Sequence, residues 1–427
     1  MSSLRLFRLI AAALLLSLLA TTVGAVELPE RRKEQFGRDF GYYLYPIVGE
    51  IPGMGKANGL GASVLNIADS DTDMTGYYVR GDFRASGLTL LDLHLLPQRL
   101  VFDIGYNDYM VAPIAYSRGL HSSATDVIHP KVEGGYLIGQ TTLTFDDRRY
   151  ELFARMLSGR DRLLAVLDSN GKAYSGIDTS WHRGRSISLG GIADLTDDRV
   201  DPRVGARFEF TSRLPASSRP DMSEYYVHDF NLTGYIPMGG WDTLALNLFH
   251  SRAQITRQGV TDYATLQQRY GLNCGQYPIG AARDACLATE AKSLAGYQAN
   301  NRYGTASPLG GTQRLRSYDN GRYYAGQALF YGIEYRWNLT DERTPFNIYI
   351  AKGIRTGIQL AAFAERGNVA ETSRDLFKGG RNSVGIGARL ILSGVVIRFD
   401  VAQGSEGVQT QLFITYPWSM FSVDSPG

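Results

Sequence analysis

The feature that most constrains this chain is a two-residue alternation of apolar and polar side chains in its C-terminal third. Between residues 325 and 338, one parity holds Leu329, Tyr331, Ile333, Tyr335 and Trp337. The other parity carries small or charged residues, including Glu334 and Arg336, with Phe330 as the exception. Successive side chains of a β-strand point to opposite faces, so the pattern predicts a strand with one apolar and one charged face.

The same alternation recurs along most of the chain. Downstream it places Gly385, Gly387, Arg389, Arg398 and Asp400 on the polar parity of segments 383–392 and 395–402, and a last strand is predicted within 408–418. Further strands are predicted at 57–68, 73–82, 87–94, 99–109, 136–145, 150–157, 186–194, 204–213, 229–233 and 244–248. About fourteen strands can be traced in this way, and no amphipathic helix of similar quality competes with them. The pattern therefore predicts a single all-β unit.

Two all-β architectures fit the pattern, a soluble sandwich or barrel and a transmembrane antiparallel β-barrel. The segments run to roughly 9–14 residues, as tilted membrane strands require, whereas strands of soluble sheets average about 5–6 residues. Aromatic residues near predicted strand ends, among them Tyr335, Trp337, Tyr416 and Trp418, stand where an interfacial girdle would lie. Tight turns after residues 237 and 392 contrast with long loops at 257–307 and 365–378. These features favour the transmembrane barrel.

The N-terminus indicates export. Arg5 and Arg8 precede an apolar run at residues 9–20, and Val23-Gly24-Ala25 follows as a small-residue site. This order predicts a cleavable secretory signal at residues 1–25, because the apolar run is short for a spanning helix. The expected organisation is then a short periplasmic segment at 26–56, a barrel at 57–421 and a tail at 422–427. The expected location is the bacterial outer membrane.

Composition and motifs exclude several function classes. A formal net charge of +2 provides no concentrated basic surface, so a nucleic-acid partner is not expected. Cys274 and Cys286 are close in sequence and predict a disulfide in an oxidising compartment, with no second pair at zinc-ligand spacing. The chain has no G-x-S-x-G, P-loop or H-E-x-x-H motif. We therefore expect no cofactor, no metal and no enzymatic activity.

One stretch resembles a known family. Leu315-Arg316-Ser317-Tyr318 lies in a glycine-flanked segment, 310–324, that is followed by Glu334-Tyr335-Arg336-Trp337. This arrangement is similar to the BamA/TamA superfamily of outer-membrane barrels (bacterial surface antigen type), and residues 383–418 resemble the last three strands of that family. The resemblance implies sixteen strands and a loop that folds back into the lumen. It departs from the family pattern at Ser317, where glycine is usual.

The resemblance also implies a set of lumen contacts. Arg316 is expected to pair with Asp400 or Glu334, and Tyr318 is expected to pack near Gly385 and Gly387, with Arg389 and Arg398 on the same inward parity. An anion site on an outer loop, built around Arg314 and Arg322, is the weaker interpretation.

The functional expectation follows from the resemblance. The segment 26–56 is too short for the periplasmic repeat domains of the family, so the chain resembles a barrel-only member. We expect a role in translocation or insertion of polypeptide or lipid at the outer membrane. The expected partners are outer-membrane lipid and either a periplasmic partner protein or further copies of the chain. A passive pore for small solutes and a structural surface-antigen barrel are the alternatives.

Overall fold

A computed structural model describes residues 35–36, 40–125, 127–168, 171–175, 177–215, 221–341, 346–348, 351–354, 356–392, 395–414, 416–418 and 420. The predicted signal at 1–25 and the tail at 422–427 lie outside the described residues. Within the described chain, sixteen strands form one closed antiparallel barrel. No helix in this part of the chain is long and apolar enough to cross a membrane.

The first eight strands are β1 (Gly41–Ile51), β2 (Gly55–Leu65), β3 (Asp73–Gly81), β4 (Arg84–Leu96), β5 (Leu100–Val111), β6 (Val127–Phe145), β7 (Tyr150–Leu167) and β8 (His182–Thr196). The other eight are β9 (Gly205–Pro215), β10 (Glu224–Pro237), β11 (Thr243–Arg257), β12 (Gln327–Asp341), β13 (Thr356–Ala370), β14 (Arg381–Leu392), β15 (Val395–Gly404) and β16 (Gly407–Ile414). Three short strands, Ala115–Tyr116, Phe346–Ile348 and Ala351–Ile354, lie in connections.

Each strand pairs with its neighbour in sequence, and side chains alternate between an apolar outer face and a polar lumen. In β12, Tyr331 and Trp337 are exposed on the outside, whereas Glu334 and Arg336 are buried inside. Phe330, the exception in the sequence pattern, faces inward and is fully buried in an apolar cluster within the lumen. The alternation thus fixes which face of every strand lines the barrel.

The connection between β11 and β12 contains structure that the sequence pattern did not predict. Two helices lie in the segment expected to be only a loop, α1 (Tyr263–Tyr270) and α2 (Ala281–Tyr303). Asp262 caps α1 by accepting a hydrogen bond from the Thr265 amide. The predicted disulfide is present, with the Cα atoms of Cys274 and Cys286 5.6 Å apart. It joins the start of α2 to the turn that precedes it.

Two expected boundaries differ from the structure. The segment 26–56 was expected to precede the barrel, but β1 occupies residues 41–51 and pairs with β2 along its whole length. The tyrosines and the proline of β1 weaken the alternation there, although its inward Tyr43 and Tyr45 are buried. In addition, no strand was predicted between residues 338 and 383, whereas β13 runs to Ala370, so the loop expected at 365–378 begins later.

The barrel closes at a seam between β1 and β16, and this seam is poorly paired. All eleven residues of β1 pair with β2, whereas Glu50 opposite Leu412 is the one described pair that joins β1 to β16. At the other end of the same edge, Tyr42 and Tyr43 pair with the short strand Ala351–Ile354. Pro46 of β1, which has no amide hydrogen to donate, lies between these two pairings.

We predict that the closed barrel resists detergent unfolding. Unheated protein should migrate faster than boiled protein in a denaturing gel, because the paired strands keep the chain compact until heat separates them. The measurement is gel mobility before and after boiling, with reductant present in both samples so that the disulfide makes no contribution. Identical mobility of the two samples would contradict a closed barrel.

Candidate functional site: an arginine lid inside the barrel

Residues 310–324, here called the lid, fold from the β11–β12 connection back into the lumen. Glycines allow the turn at its start, since Gly310 and Gly311 have φ values of 107° and 105°. A Cβ on Gly311 would lie 2.6 Å from Asn320, so the two ends of the lid approach closely. The lid side chains Leu315, Tyr318 and Tyr323 are buried in the lumen cluster with Phe330.

Arg316 lies at the tip of the lid and is fully buried. Its Nη1 donates to Glu334 of β12 and to Asp400 of β15, each at 2.9 Å, and its Nε donates to Glu365 of β13 at 2.9 Å. The backbone amide of Arg316 also donates to Glu365. The guanidinium covers the ring of Phe363 at 3.3 Å from the ring centre. The sequence predicted that Arg316 pairs with Asp400 or with Glu334, and in the structure it pairs with both.

Arg316 is one member of a seven-residue charge network on the inner wall. Arg389 bridges Glu334 and Asp400, Arg336 pairs with Glu334, and Arg398 pairs with Asp400. All seven side chains are buried, so four guanidiniums face three carboxylates with a formal excess of one positive charge. Buried charges are tolerated only when they are paired and hydrogen-bonded, and here each carboxylate serves at least two donors.

The expected role of the glycines on β14 needs correction. Tyr318 does not pack near Gly385 and Gly387, because Phe363 lies over Gly385, and Asp400 with Arg389 lies over Gly387. Tyr318 instead packs against Gly404, where an added Cβ would lie 2.8 Å from its ring. Its hydroxyl donates to the carbonyl of Asn382 and also contacts Ser405. The charge network occupies the space that Gly387 leaves.

The serine at the position where the family has glycine is accommodated in the lumen wall. The amide of Ser317 donates to the hydroxyl of Ser383 at 3.1 Å, and its own Oγ lies against Gly404. The close approach to the wall is therefore provided by Gly404 of β15.

A second anchor holds the C-terminal half of the lid. Arg322, also fully buried, donates to Glu406 in the β15–β16 turn and to Ser122 in the β5–β6 connection. Tyr323 donates to the same carboxylate at 2.9 Å. Burial, together with the hydrogen bond to Glu406, raises the pKa of Tyr323 above its ordinary value, so the phenol keeps its proton. Arg322 thus belongs to the lid contacts and is not part of an exposed anion site.

The chain after β16 also enters the lumen, contrary to the expectation from sequence. Tyr416 and Trp418 were expected in the outer aromatic girdle, but β16 ends at Ile414 and both side chains are buried inside. The indole Nε1 of Trp418 donates to Glu365 at 3.0 Å, to the same oxygen that Arg316 uses. Arg314 and Asn231 donate to the carbonyl of Trp418. The lid and this C-terminal segment thus share one carboxylate.

Glu365 is the central residue that the sequence pattern did not reveal. It lies on the inward parity of β13, next to Phe363, but it was assigned to a loop because no strand was predicted between residues 338 and 383. A search for alternation over residues 356–370 could have found it. No short-range pattern could have found Trp418, because its position depends on the chain turning inward after β16.

Comparisons with known proteins identify the fold. No protein-family model matches the chain, and no characterised sequence is similar to it. Among solved structures, CdiB from Escherichia coli superposes with a TM-score of 0.51 at 8% identity, over 88% of this chain and 62% of that chain. The chain has the CdiB barrel fold.

Two further matches have lower scores. CdiB from Acinetobacter baumannii matches with a TM-score of 0.48 at 10% identity, over 88% of this chain and 60% of that chain. BamA from Haemophilus ducreyi lacking POTRA domains 1–3 matches with a TM-score of 0.46 at 12% identity, over 88% of this chain and 69% of that chain. The chain therefore spans less than two thirds of the length of both CdiB structures.

We predict that Arg316→Ala releases the lid. The change leaves Glu365 without its arginine and removes one donor from Glu334 and Asp400, and breaking a buried pair in this way costs about 3–5 kcal/mol. The lid should become sensitive to protease near Tyr318, and the barrel should unfold at a lower temperature. Arg316→Lys should rescue only partly, because one ammonium cannot reproduce the planar fork. Arg366→Ala, on the outward face of β13, is the matched control. Wild-type protease resistance in Arg316→Ala would contradict the lid assignment.

We predict a separate effect for the C-terminal segment. Trp418→Ala should leave a cavity against Phe330 and Gly332 and lower the free energy of unfolding by about 3–5 kcal/mol. Trp241→Ala, which removes an exposed side chain in the β10–β11 turn, should change it by less than about 0.5 kcal/mol. Thermal unfolding followed by tryptophan fluorescence and circular dichroism measures both variants. Equal stabilities would show that Trp418 is not part of the lumen packing.

Proposed function

We propose that this chain spans the bacterial outer membrane and moves or inserts polypeptide or lipid there by opening its barrel between β1 and β16. The observation that supports the proposal is the seam, where one described register pair joins strands that otherwise pair along their full length. Among the described residues, separating β1 from β16 removes one register pair, whereas separating any other two neighbouring barrel strands removes at least eight. The exposed apolar side chains outside the barrel fit a lipid environment.

The filled lumen argues against the alternative of a passive pore. The lid and Trp418 occupy the barrel interior, and Arg316 is anchored to three strands, β12, β13 and β15. Opening such a lumen would require breaking the buried charge network, whereas opening the seam leaves it intact. Lateral opening needs one wall that stays intact and two neighbouring strands that can separate. The charge network supports the first, and the seam between β1 and β16 provides the second.

The proposed role is non-enzymatic and includes a partner. If substrates are delivered from the periplasm, the proposed partner is a periplasmic protein or further copies of this chain. The lipids of the two leaflets are the remaining partners of an opening seam.

We predict that locking the seam abolishes activity. Glu50→Cys with Leu412→Cys creates a cross-strand pair, and opposite residues of antiparallel strands have Cα atoms about 4.5–5.5 Å apart, within disulfide range. In proteoliposomes, the oxidised variant should neither promote insertion of a urea-unfolded outer-membrane barrel nor speed lipid exchange between leaflets. Reduction should restore the activity.

The controls separate the alternatives. Wild-type protein treated with the same reductant accounts for loss of the Cys274–Cys286 disulfide. A passive pore would conduct equally with the seam locked or free, and a structural barrel would show neither conductance nor insertion. Equal insertion by the locked and reduced variant would overturn the proposal.

A further inference from the structure

The outer surface of β7 and β8 changes from apolar to cationic along the strands. Met156 of β7 and Ile187 of β8 stand opposite each other, and both are exposed on the outside of the barrel. Two outward rows further along, Arg160 of β7 stands opposite Arg183 of β8, and both of these side chains are also exposed. An apolar row and a cationic row thus lie on the same face of the same two strands.

The cationic row lies at the end of the barrel that has the long connections. Residues 168–181 join β7 to β8 there, and the connection that contains the lid leaves from the same end. The turns at the other end include the short segments 97–99 and 146–149. Outer-membrane barrels have their long loops on the extracellular side. The cationic row is therefore at the level where the headgroups of the outer leaflet meet water.

Arg160 and Arg183 are like charges in directly opposite positions of an antiparallel pair, an arrangement that destabilises a sheet. Arg185 adds a third exposed guanidinium in the adjacent outward row. Within the described part of the chain, none of the three forms an ion pair with a carboxylate. An anion bound between Arg160 and Arg183 would remove their repulsion.

The acidic side chains close in sequence do not neutralise these arginines. Glu133 of β6 accepts from Arg162, and Oδ2 of Asp178 in the β7–β8 connection lies 3.2 Å from Nε2 of His182. Asp161 stands between two arginines in sequence, but it has the inward parity of β7. The outward arginines therefore remain available to an external anion.

A second pair of opposed arginines is balanced by the chain itself. Arg80 of β3 stands opposite Arg84 of β4 near the same end of the barrel. There the next strand provides a carboxylate, because Asp108 of β5 lies 3.5 Å from a guanidinium nitrogen of Arg84. Beside Arg160, by contrast, β6 has Gly135, which carries no side chain. The two pairs thus differ in whether a neighbouring strand supplies the anion.

Trp181 holds the cationic row in position. The guanidinium carbons of Arg160 and Arg162 lie 5.0 and 4.8 Å from the centre of its ring, within the range of cation–π contacts. The indole is itself 44% exposed, as is typical of tryptophans at the membrane–water interface. Arginines oriented before a ligand arrives lose less side-chain entropy when it binds.

From the opposed arginines and the apolar row beside them, we propose that this face binds an outer-leaflet lipid with a terminal phosphate. The phosphate lies between Arg160 and Arg183, and the acyl chains lie along Met156 and Ile187. A terminal phosphate carries nearly two negative charges and three acceptor oxygens at pH 7, which matches two guanidiniums. The inference rests on the outer-membrane location in the proposed function and not on the opening of the seam.

Native mass spectrometry of the full chain, released from non-ionic detergent, tests the site with lipids that differ only in their headgroups. Dimyristoyl phosphatidic acid should bind at least about tenfold more tightly than dimyristoyl phosphatidylcholine, because each charge-assisted contact contributes about that much. Dimyristoyl phosphatidylglycerol, a phosphodiester with one negative charge, should bind more weakly than phosphatidic acid. Equal binding of phosphatidic acid and either other lipid would overturn the proposal. Displacement of phosphatidic acid by an equal concentration of inorganic phosphate would also overturn it.

Matched variants assign the binding to the cationic row. Arg160→Gln with Arg183→Gln should weaken binding of phosphatidic acid at least about tenfold. Arg80→Gln with Arg84→Gln, which removes the balanced arginine pair, should leave the binding unchanged. Heat-dependent gel mobility shows whether each variant is folded. Unchanged binding in a folded Arg160→Gln, Arg183→Gln variant would sink the assignment.

A charge reversal provides a second readout that needs no lipid. Arg160→Glu places a carboxylate opposite Arg183, so it should raise the unfolding temperature in lipid-free detergent and remove the preference for phosphatidic acid. A lower unfolding temperature with the preference retained would contradict the proposed repulsion and the proposed site together.

The locked seam distinguishes this inference from the proposed function, because the site lies on β7 and β8. The Glu50→Cys, Leu412→Cys variant should show the same lipid preference when oxidised and when reduced. If the preference is present while locking leaves insertion unaffected, the site stands and the lateral-opening function fails. If locking stops insertion but the three lipids bind equally, the function stands and the site fails.

Discussion

The buried charge of Arg316 is the interaction on which the interior of this barrel depends. A guanidinium removed from water requires several acceptors, and here Glu334, Glu365 and Asp400 come from three different strands. The lid can reach them only by folding into the lumen, and the carboxylates are themselves stabilised only when Arg336, Arg389 and Arg398 balance them. The network therefore fixes the lid position and the mutual register of β12 to β15 together.

The consequence is a barrel with two mechanically different halves. The wall from β12 to β15 is cross-linked internally by the lid and by Trp418, which shares Glu365 with Arg316. The wall from β1 to β4 has an apolar inner cluster, and its buried carboxylate Asp92 pairs with Arg148 in the β6–β7 turn, away from β16. The two walls approach each other at the seam, where Glu50 opposite Leu412 is the one described pair between β1 and β16. The cross-linked wall of β12 to β15 thus lies next to the seam.

The sequence by itself determined the strand alternation and, through it, which residues face the lumen. Glu334, Arg389, Arg398 and Asp400 could be assigned inward because side-chain direction in a strand has a period of two and needs no distant information. The disulfide followed from the spacing of the two cysteines. Only the tertiary structure decided that Trp418 turns inward and that Glu365 completes the site. Those facts depend on strand register and on the path of the chain after β16, which are set by contacts between residues far apart in sequence.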